Sequence, residues 1–130
     1  MPEPLFRKVD CLRLAVQDLD AALAFYRDSL GHELVWRSGR AAGLRLPDSD
    51  AELVLQTEHP DQETDLLVES VDDAVERFVS AGGRVIAGPF DIQIGRCAVV
   101  ADPFGNTLVM LDLSKGLLRT DEEGRVIGNK

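Results

Sequence analysis

Few side chains in this chain are equipped for chemistry. Cys11 stands near the start of the run "VDCLRLAVQDLDAALAFYRDSLG", two residues before Arg13. A nucleophilic thiol needs a base or a cationic setting to become thiolate. Arg13 supplies charge on the same side of an alternating strand. No histidine is spaced to act as base, because His32 falls just past a helix and His59 lies in the loop "TEHPDQET". A thiol buried without a base behaves as a small hydrophobe, and Cys11 is read that way. Asp72, Asp73 and Glu76 cluster at the start of a helix, where they read as a solvated first turn. "DPFGN" combines Pro103 with Gly105 as a turn between strands, without the spacing of a phosphate loop.

The elements around these groups follow from hydrophobic period. Leu12, Leu14 and Val16 alternate with Cys11, Arg13 and Ala15, a period of two that marks a half-buried strand. Asp18 is placed to cap a helix whose apolar positions are Leu19, Ala22, Leu23, Tyr26 and Leu30, with Gly31 closing it. "HELVWR" and "AAGLRL" read as strands around a Ser38-Gly39-Arg40 turn, and "ELVLQT" as a fourth strand. The order then restarts in "TDLLVESVDDAVERFVSAGG", followed by "RVIAG", "RCAVVA" and "TLVMLDL". A shift of 52 residues pairs Leu14 with Leu66, Val16 with Val68, Tyr26 with Phe78 and Gly31 with Gly83. Such self-similarity constrains the fold more than any single motif. It predicts an α+β protein of two βαβββ modules, residues ~5–58 and ~62–113, sharing a curved mixed sheet with helices outside and a concave cup inside. The expected organisation is a single domain over 1–113 and a C-terminal extension over 114–130, where "DEEGRV" forms a turn or hairpin.

Strand parity then assigns the cup. If the leucines of "CLRLAV" face the helix, Cys11, Arg13 and Ala15 face the other way. The same rule puts Glu52, Val54 and Gln56 there, with Glu63, Asp65, Leu67 and Glu69 from the second module and Thr107, Val109 and Leu111 from the last strand. Trp36 or Arg37, and Arg45, close the rim. The expected cup has an apolar floor (Val54, Leu67, Val109, Leu111) and four polar groups, Arg13, Gln56, Glu63 and Glu69. A few convergent polar groups on an apolar concave wall suit a small molecule. An equally open reading is that Arg13 pairs with Glu63 or Glu69 for structure alone, since buried charges need partners.

The formal charge of −9 and pI near 4.6 argue against nucleic acid and anionic membrane surfaces, which need clustered Lys and Arg. Two cysteines, Cys11 and Cys97, are too few for a disulfide framework, so a reducing cytoplasm is expected. "MPEPLFRK" lacks the apolar stretch of a signal peptide, and no run approaches the length of a membrane span.

The paired motifs "VQDLDAALAFYRDSLG" and "VESVDDAVERFVSAGG", with "GPFDI…GRCAVVADPFGNTLVML" at the end, resemble the vicinal oxygen chelate superfamily over residues ~9–113. That superfamily includes glyoxalase I, bleomycin-resistance proteins and extradiol dioxygenases. The resemblance implies metal ligands at four strand positions, which fall here on Cys11, Val54, Glu63 and Val109. Valine cannot coordinate a metal, so no cofactor is expected and the resemblance points to a metal-independent protein binding a small organic molecule in the cup. Cys11, Val54, Leu67 and Val109 would line its ligand beside Arg13, Gln56, Glu63 and Glu69. The alternative is a metal-dependent lyase, isomerase or dioxygenase of the glyoxalase I type, with a divalent ion held by Glu63 and other groups. If an enzyme, it would be lactoylglutathione-lyase-like. The resemblance also implies a homodimer.

Overall fold

The alternation of "CLRLAV" becomes strand β1 (Lys8–Ala15) in the computed structural model of this protein, which describes residues 3–130. The chain divides into two compact units. One comprises Asp10–Glu63 with Leu118–Gly128, the other Thr64–Leu117 with the residues through Val9 and Asn129–Lys130.

In the first unit β1 is followed by a helix, then β2 (Leu34–Arg37), β3 (Ala41–Arg45) and β4 (Glu52–Gln56). The strand order is β2-β3-β4-β1, with β1 parallel to β4 and the other neighbours antiparallel. Parallel pairing is what a βαβ crossover produces. The helix α1 (Leu19–Leu23) starts where its cap dictates: the Asp18 carboxylate accepts the Ala21 N–H at 3.1 Å. Leu12, Leu14, Val16, Leu53 and Leu55 pack with Leu19, Ala22 and Leu23 as one core. Leu23, Leu44 and Leu55 are buried completely or nearly so. Each contributes about 1.5–3 kcal/mol by leaving water.

The expected single α-helical face is corrected beyond Leu23. The chain passes into a π-helical segment over Ala24–Ser29, where the Leu30 N–H donates to the Phe25 carbonyl five residues back at 3.0 Å. The wider turn rotates later residues off the 3.6-residue stripe. Tyr26 stays against the core, but Leu30 is 53% exposed. Gly31 ends the segment at φ +84°.

The second unit repeats the plan with β5 (Glu63–Leu67), α2 (Val71–Ser80), β6 (Arg84–Ile92), β7 (Gly95–Ala101) and β8 (Thr107–Leu111), in the order β5-β8-β7-β6. Its core gathers Val68, Val71, Ala74, Ala98, Val100 and Met110. Ser70 caps α2 by accepting the Asp73 N–H at 3.3 Å. Beside it the buried Asp112 accepts the Val71 N–H at 2.8 Å. The left-handed residue after α2 is Gly82, at φ +114°, rather than Gly83. Gly83 is glycine for another reason, since a Cβ there would overlap the Phe78 ring.

The C-terminal residues form the hairpin β9 (Leu118–Thr120) and β10 (Val126–Asn129), and "DEEGRV" is its turn. The Asp121 carboxylate holds that turn by accepting the Glu123 and Arg125 N–H groups at 2.9 Å. The turn attaches to β2 through the Arg37 N–H, which donates to the Gly124 carbonyl at 2.6 Å. Among the described residues no helix is long and apolar enough to cross a membrane.

Candidate functional site

The side of the first unit's sheet away from α1 carries the residues that parity assigned to it. Register places Cys11 beside Glu52, and Arg13 and Gly43 beside Val54. Cys11, Val54 and Ala41 form a small packed cluster with Trp36 against it. Cys11 and Val54 are 4% and 1% exposed, so they make a closed floor.

The rim choice between Trp36 and Arg37 is decided by a β-bulge. Leu34 pairs with Leu44, and Trp36 with the very next residue, Gly43, so one residue of β2 is extra. Trp36 thereby turns to the Cys11 side, while Leu34 and Arg37 both lie on the side of α1. The Trp36 indole lies across Gly43, where a Cβ would collide with it. Its Nε1–H donates to Glu52 Oε1 at 2.7 Å. Burial pushes the Glu52 carboxyl above its ordinary range. The Trp36 hydrogen bond opposes that rise, the Asp10 charge adds to it and Arg45 subtracts from it.

Arg13 is the cation of this face, with one fifth of its side chain exposed. Glu63 Oε2 lies 3.8 Å from its Nε and Glu58 Oε1 3.7 Å from its Nη2. Both are ion-pair separations, longer than the hydrogen bonds that a bidentate arginine–carboxylate pair makes. Glu58 was not among the expected partners, because strand parity says nothing about a loop residue. The other expected candidate, Glu69, lies beyond the end of β5 and is exposed.

Gln56 has a different occupation. It is fully buried, its Nε2 donates to the carbonyls of His59 (3.0 Å) and Asp61 (3.4 Å), and its Oε1 accepts the N–H groups of Glu58 (2.7 Å) and His59 (2.8 Å). All its polar capacity goes into bracing the loop that holds Glu58 in reach of Arg13. No sequence pattern announces this, because an inward glutamine on a strand looks the same whether it meets a ligand or a loop. His59 projects an exposed ring from that loop, and His32 is engaged with the Arg45 carbonyl at 3.2 Å.

In the second unit, register puts Asp65, Val99 and Val109 side by side, and likewise Leu67, Cys97 and Leu111. Asp65, Cys97, Val109 and Leu111 are buried, and Leu67 is partly so. The donor set expected for a metal is poor in kind: Val54 and Val109 offer no lone pair and Glu63 stands beside Arg13. Among the described residues no group of three or more His, Cys, Asp or Glu side chains comes together as a metal site.

Residues 8–110 match the Glyoxalase/Bleomycin resistance protein/Dioxygenase superfamily. An uncharacterized protein of Mycolicibacterium smegmatis is 34% identical over 107 residues, covering 78% of this chain and 90% of that one. The crystal structure of methylmalonyl-CoA epimerase from Mycobacterium tuberculosis superposes with a TM-score of 0.71 at 22% identity, over 86% of this chain and 91% of that one. Homoprotocatechuate 2,3-dioxygenase from Brevibacterium fuscum superposes with a TM-score of 0.63 at 24% identity, over 86% of this chain but only 38% of the dioxygenase. At these identities the two structures are alike in fold alone.

Proposed function

This chain belongs to the Glyoxalase/Bleomycin resistance protein/Dioxygenase superfamily, and from that premise we propose that it binds a small organic acid through Arg13, without a metal ion. The observation that carries the reading is the Arg13 guanidinium itself. It is held over a packed apolar floor by two carboxylates at 3.7–3.8 Å. Those separations leave its donor fork available to a ligand carboxylate, which arginine prefers to meet through two parallel hydrogen bonds. Trp36 offers an aromatic wall on the same side, and Gln56 fixes the loop bearing Glu58. Two valines at expected ligand positions support the metal-independent part of the reading.

A thermal-shift screen of aromatic and aliphatic carboxylic acids tests it. A binding acid raises the melting temperature in proportion to RT ln(1 + [L]/Kd). Arg13→Ala abolishes that rise while keeping a cooperative unfolding transition. If no acid shifts the transition, or Arg13→Ala shifts as wild type does, the reading fails. Elemental analysis of protein purified without chelator tests the metal. Near-stoichiometric Ni, Zn, Fe or Mn retained by wild type and lost in Glu63→Ala would replace this reading with a metal-dependent one.

A further inference from the structure

A second candidate site lies on the opposite side of the first unit's sheet. The bulge in β2 turns Leu34 and Arg37 to the side of α1, and the Arg37 N–H holds the hairpin turn at Gly124. Between the β2–β3 turn, the π-helical segment and the hairpin is a cavity of about 550 Å³. That is within the size range of small-molecule pockets. Three arginines line it, Arg27, Arg37 and Arg125, against one carboxylate, Glu123, with Leu34 and Val126 as apolar wall. Asp20, Asp28 and Asp121 pair with these arginines from outside that lining.

Arg27 and Arg37 are each held by one acid and Arg125 by two, and none uses all its donors. Arg27 donates through Nε to Asp28 at 2.9 Å, so its two terminal nitrogens are not used by that pair. Arg37 gives only Nη2 to Asp20, at 3.3 Å, and Asp20 is 86% exposed. Arg125 meets Asp121 through Nε at 3.0 Å and Glu123 through Nη2 at 2.9 Å. Exposed pairs of this kind hold weakly, so a multiply charged ligand can outcompete them. Glu123, the one carboxylate on the cavity wall, is 73% exposed and free to swing into water.

We propose that this cavity binds a small polyanion, a phosphoryl or polycarboxylate group, through the forks of Arg27, Arg37 and Arg125. Guanidinium pairs match both groups, which present coplanar oxygens to two N–H donors. Glu123 and Arg125 lie beyond residue 110, where the superfamily match ends, so the site depends on this chain's own C-terminal hairpin.

Isothermal titration of the full-length protein with pyrophosphate and with citrate, at low ionic strength, tests the proposal. Saturable binding of either anion is expected, weakening as salt is raised, and the anion preferred tells a phosphoryl from a polycarboxylate ligand. Arg37→Ala and Arg125→Ala should each weaken it by about tenfold or more, as loss of a charge-assisted fork does. Glu123→Gln should tighten it by roughly three- to tenfold by removing the opposing charge. That gain cannot come from misfolding. Arg84→Ala, an exposed arginine of the other unit, should bind both anions as wild type does, and Arg37→Ala should leave the thermal shift by a monocarboxylic acid at Arg13 unchanged, which separates this cavity from the Arg13 face. Absence of binding by both anions, equal weakening by Arg84→Ala, or no tightening by Glu123→Gln would each overturn it.

Discussion

Gly43 is the residue on which the order of the Arg13 face rests. The Trp36 indole occupies the space its Cβ would fill, and only there can Nε1 reach Glu52 at 2.7 Å. Gly43→Ala should therefore displace the ring. Trp36 is the one tryptophan of the chain, so its fluorescence reports the change directly. The expected result is a shifted emission maximum and a lower melting temperature, with the Glu52 hydrogen bond lost. Removing the donor instead, with Trp36→Phe, leaves a half-buried carboxylate without its partner. It should cost about 1–3 kcal/mol in urea unfolding at neutral pH. The pH dependence has a definite sign. Because the folded Glu52 carboxyl titrates above its ordinary value of 4.5, ionising it opposes folding, and that penalty is full only above the folded value. Glu52→Gln keeps an acceptor for Trp36 and removes the charge. It should be more stable than wild type near pH 7, with the advantage shrinking as pH falls toward 4.5.

Among the elements, α2 shows how a helix can depend on a residue far away in sequence. Asp112 takes the first N–H of the helix at Val71 and the Arg96 N–H of β7 at 2.9 Å. It also takes the Ser114 hydroxyl at 2.7 Å and the Ser114 N–H at 3.1 Å. Burial is the largest single influence on this carboxyl and raises it. The four hydrogen bonds together outweigh it and hold the group below its ordinary 3.8. Its stabilisation is thus present above that value and is lost as pH falls through the lower folded one. Asp112→Asn turns one acceptor oxygen into an NH2 group facing donors. It should cost about 1–3 kcal/mol at pH 7, with the difference from wild type shrinking as pH falls below 3.8 in acid unfolding monitored by circular dichroism. Gly95 belongs to the same arrangement, since a Cβ there would overlap Asp112.

At the scale of the whole molecule, the hairpin that follows the superfamily match is part of the first unit. A chain ending at Leu117 would lose the Gly124 acceptor of the Arg37 N–H, together with Glu123, Arg125 and Val126 of the cavity wall. The truncated protein should melt lower and no longer bind pyrophosphate, while a monocarboxylic acid at Arg13 should still raise its melting temperature. On the other unit β6 closes the strand order and leaves Val85, Ile86 and Phe90 37–48% exposed. We propose that the protein is a homodimer. Light scattering behind size-exclusion chromatography should give twice the 14.2 kDa chain mass.

Much of the fold was legible in the sequence because it is written in local period. Two-residue alternation, capping residues and a 52-residue repeat each depend on neighbours along the chain. They account for the two βαβββ units, the helix starts at Asp18 and Ser70, and the face on which Cys11, Arg13 and Val54 lie. The two valines at expected ligand positions were equally plain, since a side chain without a lone pair has none in any fold. Tertiary structure alone decided the rest. The bulge in β2 reverses parity between Leu34 and Trp36, and only pairing with β3 reveals it. The π-helical segment takes Leu30 off the buried stripe. Gln56 spends its amide on a loop, Glu58 rather than Glu69 joins Glu63 beside Arg13, and three arginines spread over a hundred residues come to line one cavity. Periodicity tells which way a side chain points within one element. What it meets there is set by hydrogen bonds and packing between segments distant in sequence, and these exist only once the chain has folded.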